Sequence, residues 1–150
     1  MLATLLIGCI TVVINMGVLI IAVVLLVRFL SRRFGLDSIS AGFSQDCRIL
    51  SSVVLFLFAG HIIQFVVWAL LFMFLGEFGD FETAFYHSTV NFASLGYGDI
   101  VMSEKWRLLG ALEAANGVLM FGLSAGAILS VMQRMFARRR QELLEPGSKD

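Results

Sequence analysis

FASLGYGDI, residues 92–100, is the stretch on which the fold depends: two glycines flank a tyrosine, and an aspartate follows. Long apolar segments lie on both sides of it, and a sequence typical of a short helix leads into it. Gly96 and Gly98 occupy alternate positions, and glycine adopts backbone conformations with φ > 0 without steric penalty. Such a stretch inside an apolar sequence indicates a special backbone structure rather than a further turn of helix.

The surrounding composition is that of a membrane protein. Of the 150 residues, 59% are hydrophobic, against roughly 45–50% in soluble domains. Three apolar runs, residues 2–30, 49–75 and 108–132, each exceed the about 20 residues that a helix needs to cross the hydrocarbon core. We therefore expect three transmembrane helices. We interpret the first run as a retained helix, because no positive charges precede it and it is longer than the apolar part of a signal peptide.

The distribution of charge predicts the orientation. Basic residues flank the linker between the first two runs and follow the third run, at Arg28, Arg32, Arg33, Arg48, Arg134, Arg138, Arg139, Arg140 and Lys149. The segment between the second and third runs contains two basic residues, Lys105 and Arg107, and more acidic residues: Glu77, Asp80, Glu82, Asp99 and Glu104. Because cytoplasmic loops of membrane proteins carry the excess of Lys and Arg, we expect a multi-pass protein of the cell (inner or plasma) membrane. Its N-terminus would lie outside and its C-terminus in the cytoplasm.

The segment before the opening stretch predicts a short helix over residues 81–92, with Asp80 as its N-cap and Glu82 in its first turn. A helix of 12 residues spans about 18 Å, which is too short to cross the bilayer. We interpret it as a re-entrant helix that returns as irregular backbone. Because irregular backbone at membrane depth must be surrounded by protein or a water-filled cavity, the stretch is expected to line a polar pathway.

Backbone carbonyl groups in this stretch can replace the hydration shell of a cation, provided that alternating backbone conformations point them the same way. The candidate ligands are the carbonyl groups of Ser94, Leu95, Gly96, Tyr97 and Gly98, together with the Ser94 hydroxyl group. The short helix directs its partially negative C-terminus toward the membrane centre, where a cation would be stabilised.

SLGYGD, residues 94–99, resembles the selectivity-filter signature of potassium channels, threonine-valine-glycine-tyrosine-glycine-aspartate. The resemblance covers about residues 50–136, and ALEAANGVLMFGLSAGAIL, residues 111–129, is similar to the inner helix of the small prokaryotic-type potassium channel family. Two positions depart from the signature: Ser94 stands where threonine is usual, and Leu95 replaces valine. Tyr86 and His87 stand in the region where tryptophans are common in the family.

This resemblance implies an all-α membrane protein, with three transmembrane helices plus a re-entrant pore helix and filter loop in each subunit of a tetramer. The expected division is a peripheral N-terminal transmembrane helix 1–30, a cytoplasmic linker 31–48, a pore domain 49–136 and a cytoplasmic tail 137–150. Within the pore domain we expect the outer helix 49–75, the pore helix 81–92, the filter 94–99 and the inner helix 107–136. The first helix lacks regularly spaced arginines, so a voltage sensor is not expected.

The implied function is passive transport of K⁺ by a homotetrameric channel, with no cofactor besides the transported ion and no nucleic-acid partner. A cation channel that does not discriminate potassium from sodium is an alternative, because of Ser94 and Leu95. A non-conducting membrane scaffold or a transporter subunit is another. An enzyme is not expected, since the sequence contains no metal-ligand cluster, nucleophile motif or phosphate loop.

Polar residues within the apolar runs are candidates for packing or for regulation. His61 lies near the middle of the second run, with Gln64 one turn later and Asn15 in the first run. We favour hydrogen bonds between helices for all three, and a proton-sensing role for His61 is the alternative. Gly117, near the position of the family's hinge, is our first choice for a gating hinge, and Gly122 is the second.

Three further expectations concern charged residues. Asp99 is implied by the resemblance to be hydrogen-bonded behind the filter and to fix its shape. We expect a structural role for Glu113, which would accept hydrogen bonds from the pore helix of a neighbour; an effect on the local potential is the alternative. Arg138, Arg139 and Arg140 either bind anionic lipid headgroups or only satisfy the positive-inside rule.

Overall fold

The computed structural model describes residues 1–34 and 43–144, and within these ranges the chain is all-helical. It contains four helices: α1 (Leu2–Phe34), α2 (Phe43–Phe74), α3 (Phe81–Phe92) and α4 (Arg107–Leu144). α1, α2 and α4 are long and apolar enough to cross a membrane. The predicted fold class, an all-α membrane protein with three transmembrane helices and one short helix, is confirmed for a single chain.

The three long helices extend beyond the apolar runs that predicted them. α1 continues to Phe34 rather than ending at residue 30, and α2 begins at Phe43 rather than at residue 49. α4 continues past residue 136 to Leu144. An apolar run marks only the part of a helix that the hydrocarbon core covers, whereas backbone hydrogen bonding continues into the polar interface. The expected linker 31–48 is therefore partly helical, and its residues 35–42 lie outside the described ranges, as do residues 145–150 with Lys149.

α3 has the bounds that the sequence predicts. The Asp80 side chain is its N-cap and accepts a hydrogen bond from the Thr83 N–H group at 2.8 Å, and Glu82 lies in the first turn. Because a carboxylate satisfies a free N–H group and interacts favourably with the positive end of the helix dipole, both residues stabilise the start of this short helix.

The protein core lies where α3 fits between α2 and α4. Trp68 and Phe72 of α2, Phe92 of α3 and Leu109 of α4 are fully buried. The ring of Phe65 on α2 packs edge-on against the ring of Phe92, with 5.1 Å between their centroids. Aromatic side chains bury large apolar areas, so this cluster holds the short helix between the two long ones.

A chain of hydrogen bonds joins α1, α2 and α4 at mid-helix. His61 Nδ1 lies 2.8 Å from Gln64 Oε1, and Gln64 Nε2 donates to the carbonyl oxygen of Asn15 at 2.8 Å. Since Gln64 Oε1 can only accept, His61 Nδ1 carries the hydrogen, and His61 Nε2 accepts from the Ser124 hydroxyl group at 3.0 Å. All four side chains are buried.

These bonds match the expected interhelical role of His61 and Gln64. For the Asn15 side chain the expectation is wrong. Its amide donates to Thr11 O at 2.9 Å, because residues four positions apart are neighbours on one face of a helix. Only the backbone carbonyl group of Asn15 is hydrogen-bonded to α2.

The substitution Gln64→Leu is expected to lower the free energy of unfolding by about 1 kcal/mol, since it removes the hydrogen bond to α1 and leaves His61 Nδ1 without its acceptor. Thermal unfolding of the purified protein in detergent measures this. The matched control is Gln133→Leu on the exposed face of α4, which should have little effect. Equal melting temperatures for the two variants would contradict a stabilising role of this hydrogen-bond chain.

Candidate functional site

The candidate site is the loop of residues 94–99, which begins directly after α3. The N–H groups of Ala93, Ser94 and Leu95 turn back and donate to carbonyl groups in the last turn of α3, at 3.1, 2.8 and 2.9 Å. These bonds close the end of the helix. The chain then leaves α3 without regular secondary structure.

Alternate residues of the loop have a left-handed backbone. The φ angles are 57° at Ser94, 58° at Gly96 and 75° at Gly98, whereas Leu95 and Tyr97 between them do not have positive φ. Nothing lies within 4 Å of a Cβ atom placed on either glycine, so these positions require glycine for its conformation and not for space. Ser94 is the only non-glycine residue with positive φ in the described chain, a conformation that costs an ordinary residue about 1–2 kcal/mol.

The carbonyl groups of the loop are free in the single chain. Within the described ranges no hydrogen bond goes to the carbonyl oxygen of any residue from Ser94 to Gly98. All five residues are exposed, including the large side chains of Leu95 and Tyr97. Alternating backbone conformations and unsatisfied carbonyl groups give the loop the means to coordinate a cation.

Tyr86 holds the C-terminal end of the loop against α3. Its hydroxyl group donates to Asp99 Oδ2 at 2.7 Å. This bond holds the pKa of the Asp99 carboxyl group below its ordinary value and raises the pKa of the Tyr86 phenol. The Asp99 carboxylate is thus hydrogen-bonded to the helix behind the loop.

His87 and Glu77 fix the chain that follows the loop. His87 Nε2 accepts from the Asn91 amide at 2.9 Å, so Nδ1 carries the hydrogen and donates to Ile100 O at 3.1 Å. Glu77 accepts two hydrogen bonds from Ser103, one from its N–H group at 2.7 Å and one from its hydroxyl group at 2.5 Å. Sequence reasoning missed the contacts of His87 and Glu77. For His87, the available signal was a polar ring beside Tyr86 in a short apolar helix.

Gly117 lies in direct contact with the end of α3. A Cβ atom at this position would lie 1.9 Å from Phe92 O, which no side chain can tolerate. Gly122 differs, since nothing lies within 4 Å of its Cβ position. In this structure Gly117 permits close packing, and the hinge role of either glycine stays a prediction.

Glu113 is fully buried, and its carboxyl group contacts the Ser88 hydroxyl group of the same chain. α3 packs against its own α4, which brings the two residues together. The expected hydrogen bond from α3 of a neighbouring subunit stays a prediction. His61 also lies close to the site, with its ring centroid 6.2 Å from that of Phe92 at the end of α3.

The basic residues near the end of α4 lie far along the helix from the loop. Arg139 forms an ion pair with Asp46 on α2. Arg140 is exposed, and the side chain of Arg138 lies outside the described part of the chain. Among the described residues no group of histidine, cysteine, aspartate or glutamate side chains is placed to hold a metal ion.

Comparison with known proteins identifies the region around this loop. A family model described as an ion channel, a domain with two transmembrane helices found in potassium channels, matches residues 51–134, more than half of the chain. The match includes α3, the loop and most of α2 and α4, and it leaves out α1. Neither the curated proteins nor the solved structures contain a match.

Gly117→Ala is expected to lower the free energy of unfolding by about 1–3 kcal/mol, because the added methyl group must push α3 away from α4. Gly122→Ala is the matched control and should be neutral or stabilise the helix by about 0.5–1 kcal/mol, since its Cβ position is open. Thermal unfolding compares the two variants. The close contact at Phe92 O would be refuted if Gly117→Ala were as stable as Gly122→Ala.

Tyr86→Phe is expected to raise the pKa of Asp99 toward its ordinary value, because phenylalanine cannot donate the hydrogen bond. Because the pKa of Asp99 is lower in the folded than in the unfolded state, the hydrogen bond stabilises the folded loop at pH values above the ordinary carboxyl pKa. This stability is lost as the pH falls through the lowered value. Carbon-13 NMR of the carboxyl groups follows the titration. The internal control is Asp80, whose pKa is lowered by the Thr83 N–H group and should not change. An unchanged Asp99 titration would show that Tyr86 does not set it.

Proposed function

The chain belongs to the ion channel family, and on this premise we propose that it forms a homotetrameric, potassium-selective channel. Membership in this family supports passive ion transport across a membrane. The transported ion and the number of subunits are inferred from the loop of residues 94–99 and from the exposed surfaces around it.

The observation that carries the proposal is the alternation of backbone conformation at Ser94, Gly96 and Gly98. Together with the free carbonyl groups from Ser94 to Gly98, it supports a row of carbonyl oxygen atoms that would replace water around a cation. The Ser94 hydroxyl group adds an oxygen at the inner end. All the proposed ligands are neutral oxygen atoms of the chain. The proposal therefore includes no cofactor besides the transported ion.

A single chain cannot complete such a site, because one row of carbonyl groups surrounds an ion on one side only. The large side chains of Leu95 and Tyr97 are 54% and 66% exposed, and Val118 and Leu119 of α4 are 59% and 60% exposed. These apolar surfaces near the loop fit contacts with neighbouring copies. Closed rotational symmetry is the usual arrangement of identical subunits, and the resemblance to potassium channels favours four.

We assign residues 49–136 to the pore domain, because the family model covers most of this range, and residues 1–30 to a peripheral helix. We place the loop on the outer side of the membrane and the end of α4 in the cytoplasm, since the basic residues cluster at the ends opposite the loop. Exposed Arg140 is then available to anionic lipid headgroups, whereas Arg139 is paired with Asp46. Opening would bend α4 at Gly117 or Gly122.

A non-selective cation channel is the second candidate, and Ser94 favours it. Threonine is β-branched and rarely adopts positive φ, whereas Ser94 has φ 57°. The inner end of this loop therefore has a geometry that a threonine at the same position would disfavour. Selectivity for potassium then depends on the carbonyl groups of residues 95–98.

The test is the reversal potential of the purified protein in a planar bilayer, with potassium on one side and sodium on the other. We expect a value near the potassium equilibrium potential, and native mass spectrometry should show four subunits. A reversal potential near zero would support the non-selective channel. A monomer without current would contradict both and support a non-conducting scaffold.

Ser94→Ala is expected to reduce the ratio of potassium to sodium permeability, because it removes the hydroxyl oxygen from the inner end of the site. Ser44→Ala, on an exposed position at the start of α2, is the matched control and should leave the ratio unchanged. The same reversal-potential measurement distinguishes them. An unaltered ratio in Ser94→Ala would remove the hydroxyl group from the proposed set of ligands.

A further inference from the structure

Glu113 is an acidic side chain in the interior of a membrane-spanning helix. It is 0% exposed, and among the described residues it forms no ion pair with a lysine or arginine. Its Oε1 atom contacts the Ser88 hydroxyl group on α3, while Oε2 has no hydrogen-bond partner in the described chain. Such a carboxyl group is either an unpaired buried charge or protonated, and its hydrogen bonds distinguish the two states.

The hydrogen bonds of Ser88 indicate which of the two states is present. Ser88 Oγ contacts Glu113 Oε1 and also lies 3.0 Å from the carbonyl oxygen of Phe65 on α2. A hydroxyl group carries one hydrogen, and Phe65 O can only accept. If Glu113 were ionised, two acceptors would compete for that single hydrogen. If Glu113 carries a proton, it donates to Ser88 Oγ, which donates to Phe65 O, and each contact has its own hydrogen.

The surrounding titratable groups offer no positive charge. On α3, His87 donates through Nδ1 to Ile100 O and accepts the Asn91 amide at Nε2, which is the neutral form. On α2, the His61 ring contacts only the neutral Gln64 amide and the Ser124 hydroxyl group, and its burial favours the neutral form. An ionised Glu113 is unfavourable, because burial removes its hydration while only the neutral Ser88 hydroxyl group and Asn91 amide lie near it, with no lysine or arginine paired to it among the described residues.

The contact between Glu113 and Ser88 helps to set the position of α3 beside α4. Ser88 and Phe92 lie four residues apart on α3, and Glu113 and Gly117 lie four residues apart on α4. Residues at this spacing share one helix face. Ser88 pairs with Glu113 and Phe92 O touches Gly117, so two successive turns of α3 are matched to two successive turns of α4. This match sets the height of α3 beside α4, and the loop begins two residues after Phe92.

We propose that Glu113 carries a proton at neutral pH and, as a hydrogen-bond donor to Ser88, is a positioning residue that fixes α3 and hence the loop of residues 94–99. The proposed protonated state rests on burial and on the two contacts of the Ser88 hydroxyl group, and it does not depend on the channel function. The effect on ion selection rests on the proposed channel function.

Infrared difference spectroscopy of the protein in liposomes at neutral pH tests the protonated state. We expect the C=O stretching band of a protonated carboxyl group in the unmodified protein and its loss in Glu113→Gln. Glu104→Gln, at an exposed position before α4, is the control and should leave the band in place. Absence of the band, or its persistence in Glu113→Gln, would overturn the proposal.

The permeability ratio of potassium to sodium tests the positioning role. Glu113→Gln should preserve the ratio, because its amide can donate to Ser88, whereas Glu113→Leu should lower it about fivefold, the factor for one lost hydrogen bond. Adding Ser88→Ala to Glu113→Leu should lower it no further. Equal ratios for Glu113→Gln and Glu113→Leu would overturn the positioning role. The infrared result does not require conduction, so a failure of the channel proposal would be recognised separately.

Discussion

A helix of 12 residues cannot cross a bilayer, and the rest of the structure depends on how α3 is enclosed by protein. Its start is capped by Asp80, and its sides are covered by the aromatic core of α2. Its end lies against the backbone of α4, where Gly117 leaves room for Phe92 O. Backbone that leaves a helix at membrane depth needs such enclosure, because lipid offers no hydrogen-bond partners. The carbonyl groups of the following loop have no hydrogen-bond partner in the described part of this single chain, as the proposed coordination of a cation requires.

α1 is an addition to this arrangement. It lies outside the range of the family model, yet it contacts both α2 and α4. Gly8 lies against Leu109 and Leu112 near the start of α4, and Gln64 binds the backbone of Asn15 at mid-helix. The same hydrogen-bond chain reaches His61, whose ring lies beside Phe92. α1 is thus connected through two side chains of α2 to the end of the short helix.

The sequence predicted the features of the fold that depend on residues close together in the chain. The lengths of the apolar runs gave the three long helices, and Asp80 with Glu82 marked the start of α3. The ends of the long helices could not be read in this way, because an apolar run reports the hydrocarbon core and not backbone hydrogen bonding. In the candidate site, the glycines predicted the positive φ angles at residues 96 and 98, but nothing in the residue type predicted one at Ser94. The pairs Tyr86–Asp99 and Ser88–Glu113 join residues 13 and 25 positions apart, so they depend on how α3 packs rather than on spacing.

The most direct test of the central claim, that free carbonyl groups of residues 94–98 coordinate potassium on a four-fold axis, is an electron cryomicroscopy structure in lipid nanodiscs. With potassium present we predict four chains around one axis and ion density on that axis, level with the carbonyl oxygens of residues 95–98. Exchange of potassium for a large organic cation should remove this density. A monomer, or a loop whose carbonyl groups face the interior of their own chain, would contradict the claim.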